Sequence, residues 1–197
     1  MRHRREDVVA RALGVLDEYG LADLTMRRLG AELGVQPSAF YHHFPDKQTL
    51  LAAAADELLA RGARPLPEVG GPKDGLHGDG WEECARLACH VLRDSCLAYR
   101  DGAELVAAAR AFGLGGRAPY DELVAVLTGG GVAPDLASAA ARTLLHYVLG
   151  HTMDEQLHRQ AGSAGAIESD PVAERHTADF ATGVDLVLAG LRARVSR

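Results

Sequence analysis

An all-α fold is what this 197-residue chain predicts, and three observations carry that expectation. Apolar residues recur at i, i+3, i+4 and i+7 in one run after another, no stretch of useful length alternates with a period of two, and breaks rich in Gly and Pro separate the runs. About nine helices are expected, arranged as a small N-terminal helical head and a larger C-terminal bundle. Hydrophobic residues at 47% and charged residues at 24% are ordinary values for a globular chain, so both parts can bury a core.

The first helix runs from Arg5 to Tyr19, with Val8, Val9, Ala12, Leu13, Val15, Leu16 and Tyr19 on one stripe, and stops at Gly20. Thr25 is placed to cap a second helix ending at Leu33, before Gly34-Val35. Pro37 suits an early position of a third, because the N–H it lacks would have been unpaired there. Phe40 and Phe44, four apart, share its inner face and leave Gln36, Ser38, Ala39, Tyr41, His42 and His43 wholly or partly outward. Asp46 then caps a fourth helix to about Arg61.

From Gly62 to Gly80 the chain holds Pro65, Pro67, Pro72 and several glycines with no helical period, which reads as a linker. The expected division is therefore a head at 1–61, a linker at 62–80 and a body at 81–197. Helical pattern resumes at Trp81 and continues to about Ala98. Asp101-Gly102-Ala103-Glu104 has the spacing of a capping box with Asp in place of Ser or Thr, opening a short helix that ends near Arg110. Another covers about Tyr120 to Leu127, a long one Pro134 to about Gln160, and the last Pro171 to Val195. Residues Ala161 to Asp170 read as loop. Leu144, Leu145, Val148, Val184, Leu188 and Leu191 on the last two helices could supply both core and a self-association face.

Composition excludes several classes. No apolar run approaches the roughly 20 residues of a membrane span, since even Leu50 to Leu59 is interrupted by Asp56 and Glu57. The basic start, Arg2-His3-Arg4-Arg5, leads into an amphipathic helix instead of an apolar signal core, so a cytoplasmic protein is expected. Cys84, Cys89 and Cys96 have neither zinc-ligand spacing nor an even count, and read as buried free thiols. His151, Glu155 and His158 share a helical face at a spacing that could chelate a metal, but such a stripe is more often solvated. No phosphate loop, dinucleotide glycine motif or nucleophile elbow occurs, so neither an enzyme nor a cofactor is expected.

The net charge of −6 would argue against a nucleic-acid partner if it were spread evenly. Residues 1–47 hold seven basic side chains against seven acidic ones, while the remaining 150 hold 14 against 20, so the acid lies in the body. DNA binding needs positive charge on the contacting face only.

A helix to Leu33, a turn containing Gly34 and a second short helix from Gln36 to Phe44 form the helix-turn-helix plan for placing side chains in a major groove. With Gly20, Leu24-Thr25-Met26-Arg27-Arg28-Leu29, Leu33-Gly34-Val35, Phe40-Tyr41-His42-His43-Phe44 and Lys47, this window resembles the DNA-reading end of the TetR family of transcriptional repressors. The body is similar to the ligand and dimerisation domain of the tetracycline-responsive members, through Trp81, His90 to Leu97, Arg100-Asp101-Gly102-Ala103, Leu144 to Gly150, Asp154-Glu155-Gln156 and Phe180-x-x-Gly183.

That resemblance implies a ligand-released repressor that binds a palindromic operator as a homodimer. Its implied DNA-contacting residues are Thr25, Arg27, Arg28, Gln36, Pro37, Ser38, Ala39, Tyr41, His42, His43 and Lys47. Of these, Arg27, Tyr41 and Lys47 stand at the family's phosphate-contacting places. In the tetracycline-responsive members, a histidine and a threonine help hold the drug's magnesium, and a histidine, an asparagine and a phenylalanine hold the drug; at the matching positions this chain has Val106, Ala109, Ala63, Ala88 and Leu92, and of the metal-holding set only an acid, Asp154, remains. The implied inducer is therefore apolar or aromatic, bounded by Ala88, Leu92, Leu105, Val106, Ala109, Phe112, Leu149 and Met153, with His90, Arg110, His146 and Asp154 available to orient it. Two alternatives stay open: these apolar residues fill a solid core, or the chain is a small-molecule or partner-binding protein that keeps the fold without DNA binding.

Overall fold

The computed structural model describes residues 3–67, 80–163 and 172–195, with side chains left out at 172–174. Eight α-helices and one 3-10 turn make up the regular structure of these residues, and they contain no strand. The expected linker therefore falls largely outside the described residues, as does most of the expected loop before the last helix.

Two compact units emerge, Met1–Ala63 with Asp94–Arg117, and Arg64–Arg93 with Ala118–Arg197. The first is built from α1 (Arg5–Tyr19), α2 (Met26–Leu33), the 3-10 turn Pro37–Ala39, α3 (Lys47–Gly62), the last residues of α4 (Trp81–Leu97), and α5 (Gly102–Ala111). Val8, Ala12, Leu13 and Leu16 of α1 close over Leu24, Leu29, Phe40, Phe44, Leu50 and Leu58, all essentially removed from water. Each fully buried Leu or Phe stabilises the unit by about 1.5–3 kcal/mol relative to exposure, which is why the apolar stripes pair as they do.

Local capping agrees with the sequence in α2 and α3. Thr25 Oγ1 accepts the Arg28 N–H at 3.1 Å, and Asp46 Oδ1 accepts the Thr49 N–H at 2.7 Å. The capping box expected at Asp101 does not form. Asp101 stands at the N-cap of α5 in the left-handed region, φ +54°, and makes no side-chain cap. Its carboxylate instead accepts the Leu21 N–H at 2.9 Å, and Asp17 Oδ1 accepts the N–H of neighbouring Arg100 at 3.1 Å. A partner eighty residues away outcompetes the local amide. On the other side of this unit, Asp56 of α3 accepts the Gly116 N–H at 2.7 Å, and Arg110 donates to the Gly116 carbonyl at 2.9 Å.

The second unit packs the start of α4 with α6 (Ala118–Gly129), α7 (Pro134–Ser163) and α8 (Val172–Val195). The expected end of α7 is three residues short, since Ala161 to Ser163 remain helical. Trp81, Leu123, Leu127, Leu144, Leu145, Val148, Phe180, Val184, Leu188 and Leu191 are buried within the protomer. The apolar residues expected to serve both core and a self-association face are thus spent on the core.

Glu155 overturns the solvated-stripe expectation, being 1% exposed. Its Oε2 accepts two hydrogen bonds from Arg93, at 2.7 and 3.0 Å, while its Oε1 accepts from Arg159. A buried carboxylate needs such partners, because leaving the charge unpaired would cost several kcal/mol. Among the described residues no group of three or more His, Cys, Asp or Glu is arranged to hold a metal ion. The three cysteines are buried, and none of them is in a disulfide. No described helix is long and apolar enough to cross a membrane.

Candidate nucleic-acid interface

The head presents its outward residues from a frame of α2, the 3-10 turn and α3. Gly34 ends α2 at φ +66°, a conformation that strains any residue with a Cβ, and lets the Val35 N–H reach back to the Gly30 carbonyl at 2.9 Å. Gly30 is required for a second reason: a Cβ there would lie 2.8 Å from the Val35 carbonyl oxygen. The chain can therefore double back directly onto Pro37.

The segment from Gln36 to Phe44 is wound more tightly than the short helix the sequence suggests. The Ala39 and Phe40 N–H groups donate to the carbonyls of Gln36 and Pro37, a 3-10 turn, and the His43 and Phe44 N–H groups both donate to the Phe40 carbonyl at 2.8 Å. So short a run can complete only one or two bonds of an α-helical ladder, which favours the narrower winding. Phe40 and Phe44 anchor it, being 1% and 0% exposed. That burial turns Gln36, Ser38, Ala39, Tyr41 and His42 to solvent, with Tyr41 half exposed, while Pro37 and His43 are partly covered.

The basic residues divide in two. Arg27 is exposed and Lys47, at the start of α3, is half-buried. Arg28 lies 3.6 Å over the Tyr19 ring and 3.6 Å from the Asp23 carboxylate, so it braces α2 against α1. Thr25 is occupied in capping. His43 rests its Nε2 3.3 Å from the His3 carbonyl, tying the reading turn to the N-terminal arm. This N-terminal contribution has no local signal in the sequence, because it joins residues forty apart. Arg5, the first residue of α1, lies 5.1 Å over the Phe44 ring. Asp46 is pulled below the usual carboxylate range by the Thr49 backbone and hydroxyl hydrogen bonds, which keep it an ionised cap for α3.

The residues expected around a ligand are distributed over both units. Leu105, Val106 and Ala109 of α5 are fully buried in the first, Arg110 is partly covered and Phe112 is 45% exposed. In the second, Ala88, Leu92 and Leu149 are buried, Met153 and His90 are partly covered, and His146 and Asp154 are exposed. His90 sets its ring edge-on to Phe180, with centroids 5.1 Å apart.

Comparison with known proteins accounts for head and body alike. Residues 8–54 match the family model described as bacterial regulatory proteins of the tetR family, and residues 74–178 match the tetracyclin repressor-like C-terminal domain. The class G tetracycline repressor of Vibrio anguillarum is 32% identical over 154 residues, covering 76% of this chain and 67% of that protein. The crystal structure of Mycobacterium smegmatis BioQ superposes with a TM-score of 0.84 and 39% identity, covering 97% of this chain and 98% of that one. A BioQ crystal structure with its double-stranded DNA operator superposes with a TM-score of 0.76 and 37% identity, covering 97% and 99%. Head and body are those of a ligand-responsive transcriptional repressor, and the chain belongs to the TetR family of bacterial regulatory proteins.

Proposed function

We propose that this chain is a cytoplasmic repressor that binds a palindromic operator as a homodimer, positions itself through Arg27, Tyr41 and Lys47, and reads base edges with Gln36, Ser38, Ala39 and His42. The observation that carries the reading is the anchoring of Phe40 and Phe44, which commits the side chains between and before them to an outward row. Phosphate contacts set register on the duplex and base-edge contacts set sequence, so the two groups have separate signatures. Two heads roughly 34–36 Å apart would meet successive major grooves on one side of the duplex. The similarity to BioQ, solved with its operator, supports the DNA-reading role over the alternative of a fold that has lost it.

The inducer is a largely apolar or aromatic small molecule. Val106 and Ala109 are hydrocarbon at positions where, by the resemblance, the tetracycline-responsive members carry the histidine and threonine that help hold the drug's magnesium. An unpaired polar ligand group against such residues would cost about 1–3 kcal/mol. The inducer must prefer the DNA-free arrangement, because only a differential affinity shifts the equilibrium.

Selection of DNA from a random pool by the purified protein, followed by fluorescence anisotropy on the recovered site, tests the first part. Salt-dependent binding to a palindrome is expected, and its absence would leave the alternative standing. Titrating that complex with magnesium-tetracycline and with a panel of apolar aromatics tests the second; release by magnesium-tetracycline alone refutes the inducer class.

A further inference from the structure

Three histidines that the DNA-reading function does not use meet where α7 packs on α8. His158 of α7 and His176 of α8 have ring centroids 5.3 Å apart, and His151 of α7 and His176 are 5.8 Å apart, both edge-on. His151 also donates from Nε2 to the His176 carbonyl at 3.0 Å, which fixes the proton of its neutral form on that nitrogen. Tyr147 and Phe180 close the other side of the His151 ring, with centroids at 5.7 and 5.4 Å.

The surrounding charges are set against a second positive group. From α4, Arg93 reaches over Phe180 at 5.1 Å, and the ring of His90 packs edge-on against the same phenylalanine. From α7, Glu155 is already shared between Arg93 and Arg159. Asp154 lies 4.0 Å from His176 Nε2, but its side chain is 80% exposed and its field is screened by water. On α8, Arg175 and Asp179 are both exposed and of opposite sign, with the Asp179 carbonyl accepting from Tyr147.

We propose that this cluster makes the α7–α8 joint proton-responsive, so that acidification from pH 7.5 to 5.5 loosens the N-terminal half of α8 from α7. An imidazolium at one position stands within 6 Å of a second histidine ring, and at His151 it also faces the Arg93 guanidinium. Burial first, and Arg93 next, hold His151 below the usual imidazole range. With both folded and unfolded chains neutral here at high pH, the contact is fully present, and it is lost as pH falls below about 6.5 because the unfolded segment takes up the proton more readily. The inference does not depend on the chain binding DNA.

Hydrogen exchange read by mass spectrometry, with labelling times scaled for the intrinsic pH dependence of exchange, tests it on the full chain. In the parent protein, protection of amides 175–183 should fall severalfold, up to about tenfold, between pH 7.5 and 5.5, the upper limit for one histidine that stays neutral when packed and titrates ordinarily when released, while α5 amides hold theirs. His151→Gln, which keeps an amide donor and removes the titrating ring, should abolish most of that loss. His158→Gln/His176→Gln, which takes away the neighbouring rings, is the second variant should the first fold poorly, and should diminish the loss. Equal protection at both pH values, a loss spread evenly over the whole chain, or an undiminished loss in the variants would overturn the proposal.

Discussion

The Asp101 carboxylate accepts the Leu21 N–H at 2.9 Å while its own backbone is held at φ +54°. The contact fastens the start of α5 to the turn after α1, and the left-handed backbone is the strained conformation through which the side chain reaches it. Asp101→Ala loses the acceptor and keeps the strain, so it should destabilise by about 1–3 kcal/mol. Asp101→Asn keeps both an acceptor oxygen and tolerance of that region and should cost less than half as much. Urea unfolding measures both, and equal losses would mean that the contact with Leu21 contributes nothing.

Gly30 sits where α2 meets the reading turn. A methyl there would press on the Val35 carbonyl at 2.8 Å and on Pro37 at 3.4 Å, neither of which is a flexible side-chain end. Gly30→Ala should lower stability by about 1–3 kcal/mol, as overpacking does. It should also weaken operator binding by more than that stability loss explains, because the turn itself is displaced. Binding measured well below the melting temperature separates the two effects.

Lys47 and Arg27 predict a different signature. If they neutralise phosphates, Lys47→Ala weakens binding to specific and unrelated DNA alike and flattens the salt dependence by about one unit. Gln36→Ala, at a base-edge position, should leave the slope unchanged and relax sequence preference. A shared slope for parent and Lys47→Ala would contradict the assignment.

The head was legible because its signals are local. Thr25 and Asp46 each bond an amide three residues on, and the Phe40–Phe44 spacing follows from helical geometry alone. What escaped depends on partners distant in sequence: Leu21 for Asp101, Tyr19 for Arg28, and Arg93 for Glu155, sixty-two residues away. Spacing alone assigned Asp101 to a cap and Glu155 to solvent, since a carboxylate carries no mark of which donor will reach it. The apolar positions of the expected ligand set were legible as apolar, but residue type does not distinguish a wall from a core.

Removing Glu155 tests the buried pair. Glu155→Ala leaves Arg93, 6% exposed, without its carboxylate, and should cost about 3–5 kcal/mol. The double change Arg93→Met/Glu155→Leu removes the guanidinium together with the carboxylate and should be markedly less damaging. Thermal unfolding of the two variants at matched pH decides between a pair that stabilises by itself and one that is merely costly to break.

Burial pushes the Cys89 and Cys96 thiols up to about 12, so at pH 8 their reactive thiolate is scarce as well as enclosed. An ordinary thiol reagent should leave both unmodified in the folded protein and label them after denaturation. Labelling at pH 8 that keeps pace with a small exposed thiol would show that α4 opens locally.

Leu157 and Leu186 are 65% and 70% exposed, whereas the apolar core positions of the same two helices are covered within the protomer. On α7 Ala139, Thr143, His146, Gly150 and Leu157 are exposed along one face, flanked by exposed Arg142 and Asp154, and on α8 Thr182, Leu186 and Gly190 are exposed and uncharged. A Cβ at Gly150 or Gly190 would meet nothing within 4 Å, leaving open space over both backbones where another helix can approach closely. These rows form the face on which a second copy is expected to pack, as a palindromic operator requires. Leu186→Glu places a charge on that face without touching the protomer's core. Helix content and melting at low concentration should therefore match the parent, while the dimer dissociation constant rises by at least about tenfold, or ~1.4 kcal/mol. Sedimentation equilibrium across the micromolar range gives that constant directly, and an unchanged value would move the self-association face away from α7 and α8.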